Sequence, residues 1–226
     1  MKRVLDRPIW SALKSRHAAL AEGGAPAKRY PAAVSAFAAT GDESPQSLEA
    51  LAALALPGET LILVQADPIA IPAGFAATTQ ATLVQMVAEE PAGTVADDRI
   101  VRLGREDAQD MLDLATLTKP GPFTLRAQDF GPFWGIRSGG RLIAMAGQRL
   151  GQVGFRELSG VCTHPDVRGQ GLGRLMSLYV MERIREAGEM PYLHAYATNA
   201  TAIRLYESIG FRLRATMNMA VIRKAD

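Results

Sequence analysis

Between Val161 and Met176 the chain reads VCTHPDVRGQGLGRLM, which sets Gly169, Gly171 and Gly173 between an apolar run and the start of a helical pattern. A glycine in a helix costs about 1 kcal/mol relative to alanine, so three of them call for a compensating reason. A strand that ends in a glycine-rich turn and enters a helix directly supplies one. The first helical N–H groups have no intrahelical acceptor, and the helix dipole concentrates positive potential there. Glycine removes the Cβ atoms that would keep a pyrophosphate from those groups, and Arg168 adds a mobile positive charge. The alternative is that the glycines only shape a tight turn.

Two other phosphate loops fail on spacing. A dinucleotide fingerprint needs G-x-G-x-x-G after the first strand of a βαβ unit, whereas GQGLGR spaces its glycines G-x-G-x-G and follows a hairpin-linked strand. A P-loop needs Gly-Lys-Ser or Gly-Lys-Thr, and Arg174 and Leu175 stand there instead.

Around this loop the turn residues give an element order. DRIVRLG reads as a strand, and REDAQDMLDLATLT as a helix stopped by Lys119, Pro120 and Gly121. Ser138, Gly139 and Gly140 make a hairpin between two strands, and GFRELSGVCTHP is a third. The helix from Leu172 stops at Gly188. PYLHAYA is a strand, Asn199 to Ile209 a helix closed by Gly210, and RLRATMNMAVIRK a last strand or a bent pair. The predicted order is β, α, β, β, β, α, β, α, β.

The first part is less explicit. Asp6 before Pro8 resembles a capped helix entry, Ser47 a cap for a helix through Leu54, and TLILVQ a buried strand, while ATLVQMVAE fits strand or helix. A seam is expected at AEEPAGTVADD, residues 88–98, giving an N-terminal α/β segment over 1–95 and a second domain over 96–226.

With 226 residues, 48% hydrophobic and 21% charged, the composition is globular. A net charge of +2, without runs of Lys and Arg among aromatics, gives no nucleic-acid surface. The single cysteine, Cys162, excludes an intrachain disulfide framework and a cysteine-rich zinc site. The amino end meets charge and proline before any signal-peptide core, and the apolar stretches fall short of the roughly 20 residues that span a bilayer, so a cytoplasmic protein without membrane contact is expected.

At this point the residues carry a resemblance. VCTHPDVRGQGLGRLM is similar to the acetyl-coenzyme A loop of GNAT-type N-acetyltransferases, with Arg168, Gly171 and Gly173 matching its pattern of Arg or Gln, two residues, Gly, one residue, Gly or Ala. NATAIRLYESIGF resembles the family's second hallmark at Asn199, Ala202, Tyr206, Gly210 and Phe211. The resemblance covers about residues 98–226. It implies an α+β fold in α/β/α layers, with a mixed, mostly antiparallel sheet splayed open for the coenzyme. It also implies acetyl-coenzyme A as co-substrate, no metal, and direct transfer to a primary amine on a small molecule or protein. The whole-chain layout also resembles the glycine N-acyltransferase-like branch, in which residues 1–95 would be a decayed GNAT-like half.

By the same resemblance, backbone groups of Val161, Cys162 and Thr163 pair with the pantetheine arm. The loop Arg168, Gly169, Gln170, Gly171, Leu172, Gly173 and Arg174 holds the pyrophosphate, and Asn199, Ala202 and Tyr206 line the coenzyme. Tyr206 is the candidate general acid for the departing thiolate, its ordinary pKa of about 10 keeping it protonated. The competing reading is a core tyrosine packed with Ala202 and Ile209. Glu157, four residues before Val161 on one strand face, is the candidate base; it reads equally as a strand-surface acid paired with Arg156 or with a cationic acceptor.

Among the other polar residues, His164 reads as a loop residue, His17 as helix decoration, and His194 as filling a half-buried strand. Cys162 lacks a neighbouring base, and Phe133 and Trp134 read as core or cleft wall. The acceptor is expected to be set by TKPGPFTLRAQDF and by the N-terminal part, which would form one wall of its site. The rivals are an acyl-coenzyme A sensor without catalysis and a nucleotide-binding regulatory module.

Overall fold

The computed structural model describes residues 2–90, 93 and 95–226. The predicted seam includes residues 91, 92 and 94, which lie outside them. From Ile100 onward the elements follow the predicted order: β6 (Ile100–Leu103), α3 (Ala108–Thr118), β7 (Phe133–Ser138), β8 (Arg141–Gln152), β9 (Phe155–Thr163), α4 (Leu172–Glu186), β10 (Met190–Tyr196), α5 (Ala200–Ser208) and β11 (Arg212–Lys224). The reasons are local. Gly139 and Gly140 both take positive φ, as a tight hairpin between twisted strands requires. Gly188 and Gly210 do the same behind α4 and α5.

The earlier part contributes α1 (Pro8–Leu13), short strands β1 (Glu22–Gly23), β2 (Ala27–Arg29) and β3 (Ala38–Thr40), α2 (Pro45–Ala53), and two longer strands, β4 (Thr60–Gln65) and β5 (Phe75–Val87). Strands β1 to β3 form a small sheet of their own. Two predicted caps are displaced. Ser44, not Ser47, caps α2, its hydroxyl accepting from the Ser47 N–H at 3.3 Å while Asp42 holds both serine hydroxyls at 2.6 Å. Asp6 does not cap α1; it forms an ion pair with Arg214 on β11.

The main sheet has eight strands in the order β4-β11-β5-β10-β9-β8-β7-β6, antiparallel throughout except for β9 with β10. Strand β5 lies between β10 and β11, so the segment that fitted strand or helix is a central strand. The division near residue 95 cuts through this sheet: β4 and β5 both precede it, so removing residues 1–95 would strip one partner from β10 and both partners from β11.

Helices cover both faces. Met176, Val180, Met181 and Ile184 of α4 pack with Ala144, Ala146, Leu158 and Leu193. Side chains of alternate parity point the other way: Met145 and Cys162 meet Met111, Leu114 and Ala115 of α3, and Phe155 and Tyr192, joined by Leu150 beyond the irregularity in β8 between Gln148 and Gly151, meet Ile9 and Leu13 of α1 with Tyr30, Val34 and Phe37. Residues 5–37 thus roof part of the sheet.

His17 pins that roof. It is 4% exposed, and its Nδ1 lies 2.8 Å from the Tyr30 hydroxyl, with the Phe130 ring 5.7 Å away. Burial, helped by the Arg156 charge, pushes its pKa down to about 4. The unfolded chain then binds a proton near pH 6.5 that the folded one refuses until about pH 4. Stability present at neutral pH is lost as pH falls through that window, on the order of 3 kcal/mol in total. His17→Gln should flatten this part of the profile. Denaturant midpoints of both proteins at pH 7 and pH 4.5 measure it; equal acid losses would contradict it.

Candidate functional site

The site begins where two strands part. Strands β9 and β10 pair only at Phe155/Met190, Arg156/Pro191 and Glu157/Tyr192. Beyond that point β10 stays with β5 as far as Tyr196/Leu83, while β9 stays with β8. A bulge turns β9 away: Ser159 faces Gly147 and Cys162 faces Met145, so Gly160 and Val161 together oppose one residue. Gly160 has φ +61°, and a Cβ there would come within 2.7 Å of the Phe133 ring, which reserves the position for glycine.

The wedge holds a cavity of about 230 Å³. Leu158 to Val161 form one wall, His194 to Tyr196 another, and Asn199, Ala202 and Tyr206 of α5 a third. Thr118 to Pro122, from the last residue of α3 onward, close one end, while Ile9 and Phe37 come from the roof and Ile62 from β4. Residues expected for the coenzyme and residues of the first part therefore line one space.

The glycine loop lies near the end of β9. A short 3₁₀ turn, Pro165–Val167, leads through extended Arg168 to Gly169 and Gly171, at φ +78° and +74°, and α4 begins at Leu172. No side chain caps its first turn. Left-handed backbone is thus a second reason for glycine at 169 and 171. Gly173 differs, because a Cβ there would meet Thr163 Oγ1 at 3.5 Å and Leu205 at 3.8 Å, ordinary contacts. Arg168, Gln170 and Arg174 are exposed, while Leu172 is in the core. His164 Nδ1 accepts from the Asp166 N–H at 3.2 Å, a local turn contact.

The Cys162 side chain packs beneath α3, on the opposite face from Val161. Burial raises its pKa to about 12, against a hydrogen bond with Thr118, and this suppresses the thiolate. Asn199 caps α5, its Oδ1 accepting from the Ala202 N–H at 3.1 Å. One turn further on, Tyr206 lines the cavity and sets its ring edge-on to Phe211 at 5.8 Å. Burial, then the nearby Cys162, raises its pKa to about 12, so the hydroxyl keeps its proton across the physiological range.

Glu157 is not a surface acid and does not pair with Arg156. Its side chain is fully buried, and Nε and Nη2 of Arg149 donate to its two oxygens at 2.8 Å each. The Leu150 N–H donates at 3.2 Å and His194 Nδ1 at 2.7 Å. Burial alone would raise the carboxyl pKa, but Arg149 and these hydrogen bonds outweigh it and hold it below the usual carboxylate range. Arg156 instead pairs with Glu189 at 3.0 Å.

His194 is more than strand filler. Arg214 donates to Gln85 Oε1 at 2.6 Å, which fixes that amide so that its Nε2 donates to Leu5 O and to His194 Nε2, both at 2.9 Å. The proton of the ring is therefore on Nδ1, directed at Glu157. Sequence reading missed Arg149 and Gln85. Arg149 had only an approximate signal: counting back across the Val153-Gly154 turn, where Gln152 pairs with Phe155, sets Leu150 opposite Glu157, and the bulge between Gln148 and Gly151 brings Arg149 to it instead. Gln85 had none, since β5 reaches β10 only through the sheet.

The family model described as FR47-like protein matches residues 133–220. A crystal structure of a GNAT-family protein from Novosphingobium aromaticivorans superposes with a TM-score of 0.92 at 39% identity, over 98% of this chain and 99% of that one. The [ribosomal protein bS18]-alanine N-acetyltransferase of Escherichia coli is 36% identical over 83 residues, 35% of this chain and 52% of that protein. Mycothiol acetyltransferase of Nocardiopsis dassonvillei is 43% identical over 51 residues, 22% of this chain. The chain thus spans about half of the length of the first of these curated relatives and 15% of the second. None of these three is named as a glycine N-acyltransferase. Matched along nearly the whole of both chains by that crystal structure, the chain belongs to the GNAT family of acetyltransferases.

Proposed function

We propose that the chain transfers an acetyl group from acetyl-coenzyme A to a primary amine by direct attack within a ternary complex. The observation that carries this is the wedge between β9 and β10, which leaves a bulged edge, on the strand that runs on into the glycine loop, facing a cavity with Tyr206 in its wall. The fit is physical: on the side away from β8, the edge of β9 at Val161 to Thr163 pairs with no strand among the described residues and suits an extended amide-bearing arm, and the uncapped first turn of α4 with Arg168 suits a pyrophosphate. Bound acetyl-coenzyme A supplies the thioester whose carbonyl carbon bonds the amine nitrogen as its bond to sulfur breaks; the nitrogen loses a proton and the sulfur gains one.

The chain does the rest. Backbone N–H groups near Val161 polarise the carbonyl, a contact often worth several kcal/mol in a transition state. Tyr206 gives its proton to the departing sulfur. Glu157, closed off by Arg149, Leu150 and His194, acts as a positioning group, and the proton of the amine leaves through water at the cavity mouth. Ile9 and Phe37 of the roof, with Ile62 of β4, form one wall of the acceptor space.

Calorimetry with acetyl-coenzyme A and thiol release with amine acceptors test the reading. Gly171→Asp, which puts a carboxylate at the α4 N-terminus, should raise the dissociation constant at least about tenfold, or 1.4 kcal/mol. Asp tolerates left-handed backbone better than most residues, so a folded variant is expected. Unchanged affinity in that variant would remove the loop from coenzyme binding.

A further inference from the structure

A second cavity of about 230 Å³ adjoins the first, and the two share Phe37, Pro120, Pro122, Arg149, Ser159 and Gly160 as a common border. Its wall is mostly apolar and includes four phenylalanines. Phe123 and Phe133 meet edge-on at 5.6 Å, Phe130 stands 6.4 Å from Phe37, and Val34 and Ala127 fill between them. Thr124 Oγ1 donates to Val34 O at 2.9 Å, tying the loop after α3 to the roof and closing the pocket between them. Tyr206 and the α5 residues line only the first cavity. The second therefore lies on the far side of the Arg149–Gly160 border from the α5 wall.

Charge is distributed one way. Among the described residues no aspartate or glutamate lines either cavity, while Lys119 lines the first and Arg149 lines both. Glu157 lies behind Arg149 with its oxygens engaged by Arg149, Leu150 and His194. Arg149 uses Nε and Nη2 on Glu157 and rests 5.0 Å from the Phe37 ring centre, so Nη1 remains for another acceptor at the mouth of the aromatic pocket. A second ammonium entering this space would be desolvated without a counter-charge, which is costly. A carboxylate would gain charge-assisted hydrogen bonds from a guanidinium already held in place.

Resting on the reading that the wedge holds acetyl-coenzyme A, we infer that the acceptor is a small amine carrying a carboxylate and an apolar, aromatic-sized body, seated in the pocket between the roof and the loop after α3, and not a polyamine. An α-amino acid with a large apolar side chain meets this description. Its amine would point over the Ser159–Gly160 border into the first cavity and its carboxylate would meet Arg149 and Lys119.

The test uses the full chain and thiol release at saturating acetyl-coenzyme A, with phenylalanine, phenylalanine amide, phenethylamine, alanine and spermidine as acceptors. Phenylalanine is expected to exceed phenethylamine, alanine and spermidine in kcat/KM by about tenfold or more. Spermidine or phenethylamine matching it would overturn the inference. The amide matching it would overturn the carboxylate assignment and favour a peptide amino terminus. If acetyl-coenzyme A binds by calorimetry and none of the five turns over, this acceptor class is wrong while the coenzyme reading stands; if it does not bind, the coenzyme reading falls first.

Two variants place the acceptor. Phe123→Ala should raise KM for phenylalanine about tenfold and for alanine by less than threefold. Lys119 sits at φ +53°, so Lys119→Gly removes the charge while easing the backbone, and it should raise KM for phenylalanine several-fold more than for its amide. Equal effects on both members of either pair would overturn the placement.

Discussion

Tyr206→Phe is expected to lower kcat by about 10² to 10⁴-fold while changing the affinity for acetyl-coenzyme A by less than about threefold. The substitution keeps the ring, and with it the edge-on contact with Phe211 and the packing along α5 against the α4 core. It removes only the oxygen that, with its pKa raised to about 12 by burial and the nearby Cys162, stays protonated beside the cavity. A proton donor must be protonated and close to the leaving atom, and the first condition is met here by a wide margin. Thiol release against time with a working acceptor, beside a binding titration of the same variant, separates the outcomes. Affinity falling as much as rate would mean that the hydroxyl binds or packs. An undiminished kcat would leave water as the proton source. Coenzyme binding without thiol release by the unmutated chain would favour the sensor reading over the enzyme.

What could be read from the sequence was whatever short-range chemistry decides. Lys119-Pro120-Gly121, Ser138-Gly139-Gly140, Gly188 and Gly210 mark element ends because their backbone conformations exclude helix or strand continuation, and every element from β6 to β11 followed. The glycine loop was legible for the same reason, and the left-handed backbone of Gly169 and Gly171 asks for glycine there whatever the loop binds. Sheet order was not legible. Nothing near Phe75–Val87 says that it will lie between strands that begin at residues 190 and 212, because that choice is made by burial across the whole sheet. The roof was equally opaque: Tyr30, Val34 and Phe37 look like ordinary apolar residues until α1 and the sheet bring them over Tyr192.

The Glu157 environment shows where such opacity matters most, since a carboxylate on a strand reads as a base when its neighbours are unknown. Glu157→Ala should cost about 3–5 kcal/mol of stability, because it leaves the Arg149 guanidinium buried without its partner. It also leaves the Leu150 N–H and His194 Nδ1–H without an acceptor. Replacing both charges, Arg149→Met with Glu157→Leu, should cost less than Glu157→Ala despite altering more atoms, since no unpaired charge then remains. Denaturant midpoints of the two variants test the ordering, and Glu157→Ala within about 1 kcal/mol of the unmutated chain would show that the pair is not closed to solvent. Glu157→Gln separates positioning from proton transfer. If the carboxylate took the proton from the amine, kcat would fall about 10² to 10⁴-fold at every pH. As a positioning group holding Arg149 at the mouth of the aromatic pocket, its loss should appear chiefly as a raised acceptor KM, with kcat at saturating acceptor reduced by less than tenfold.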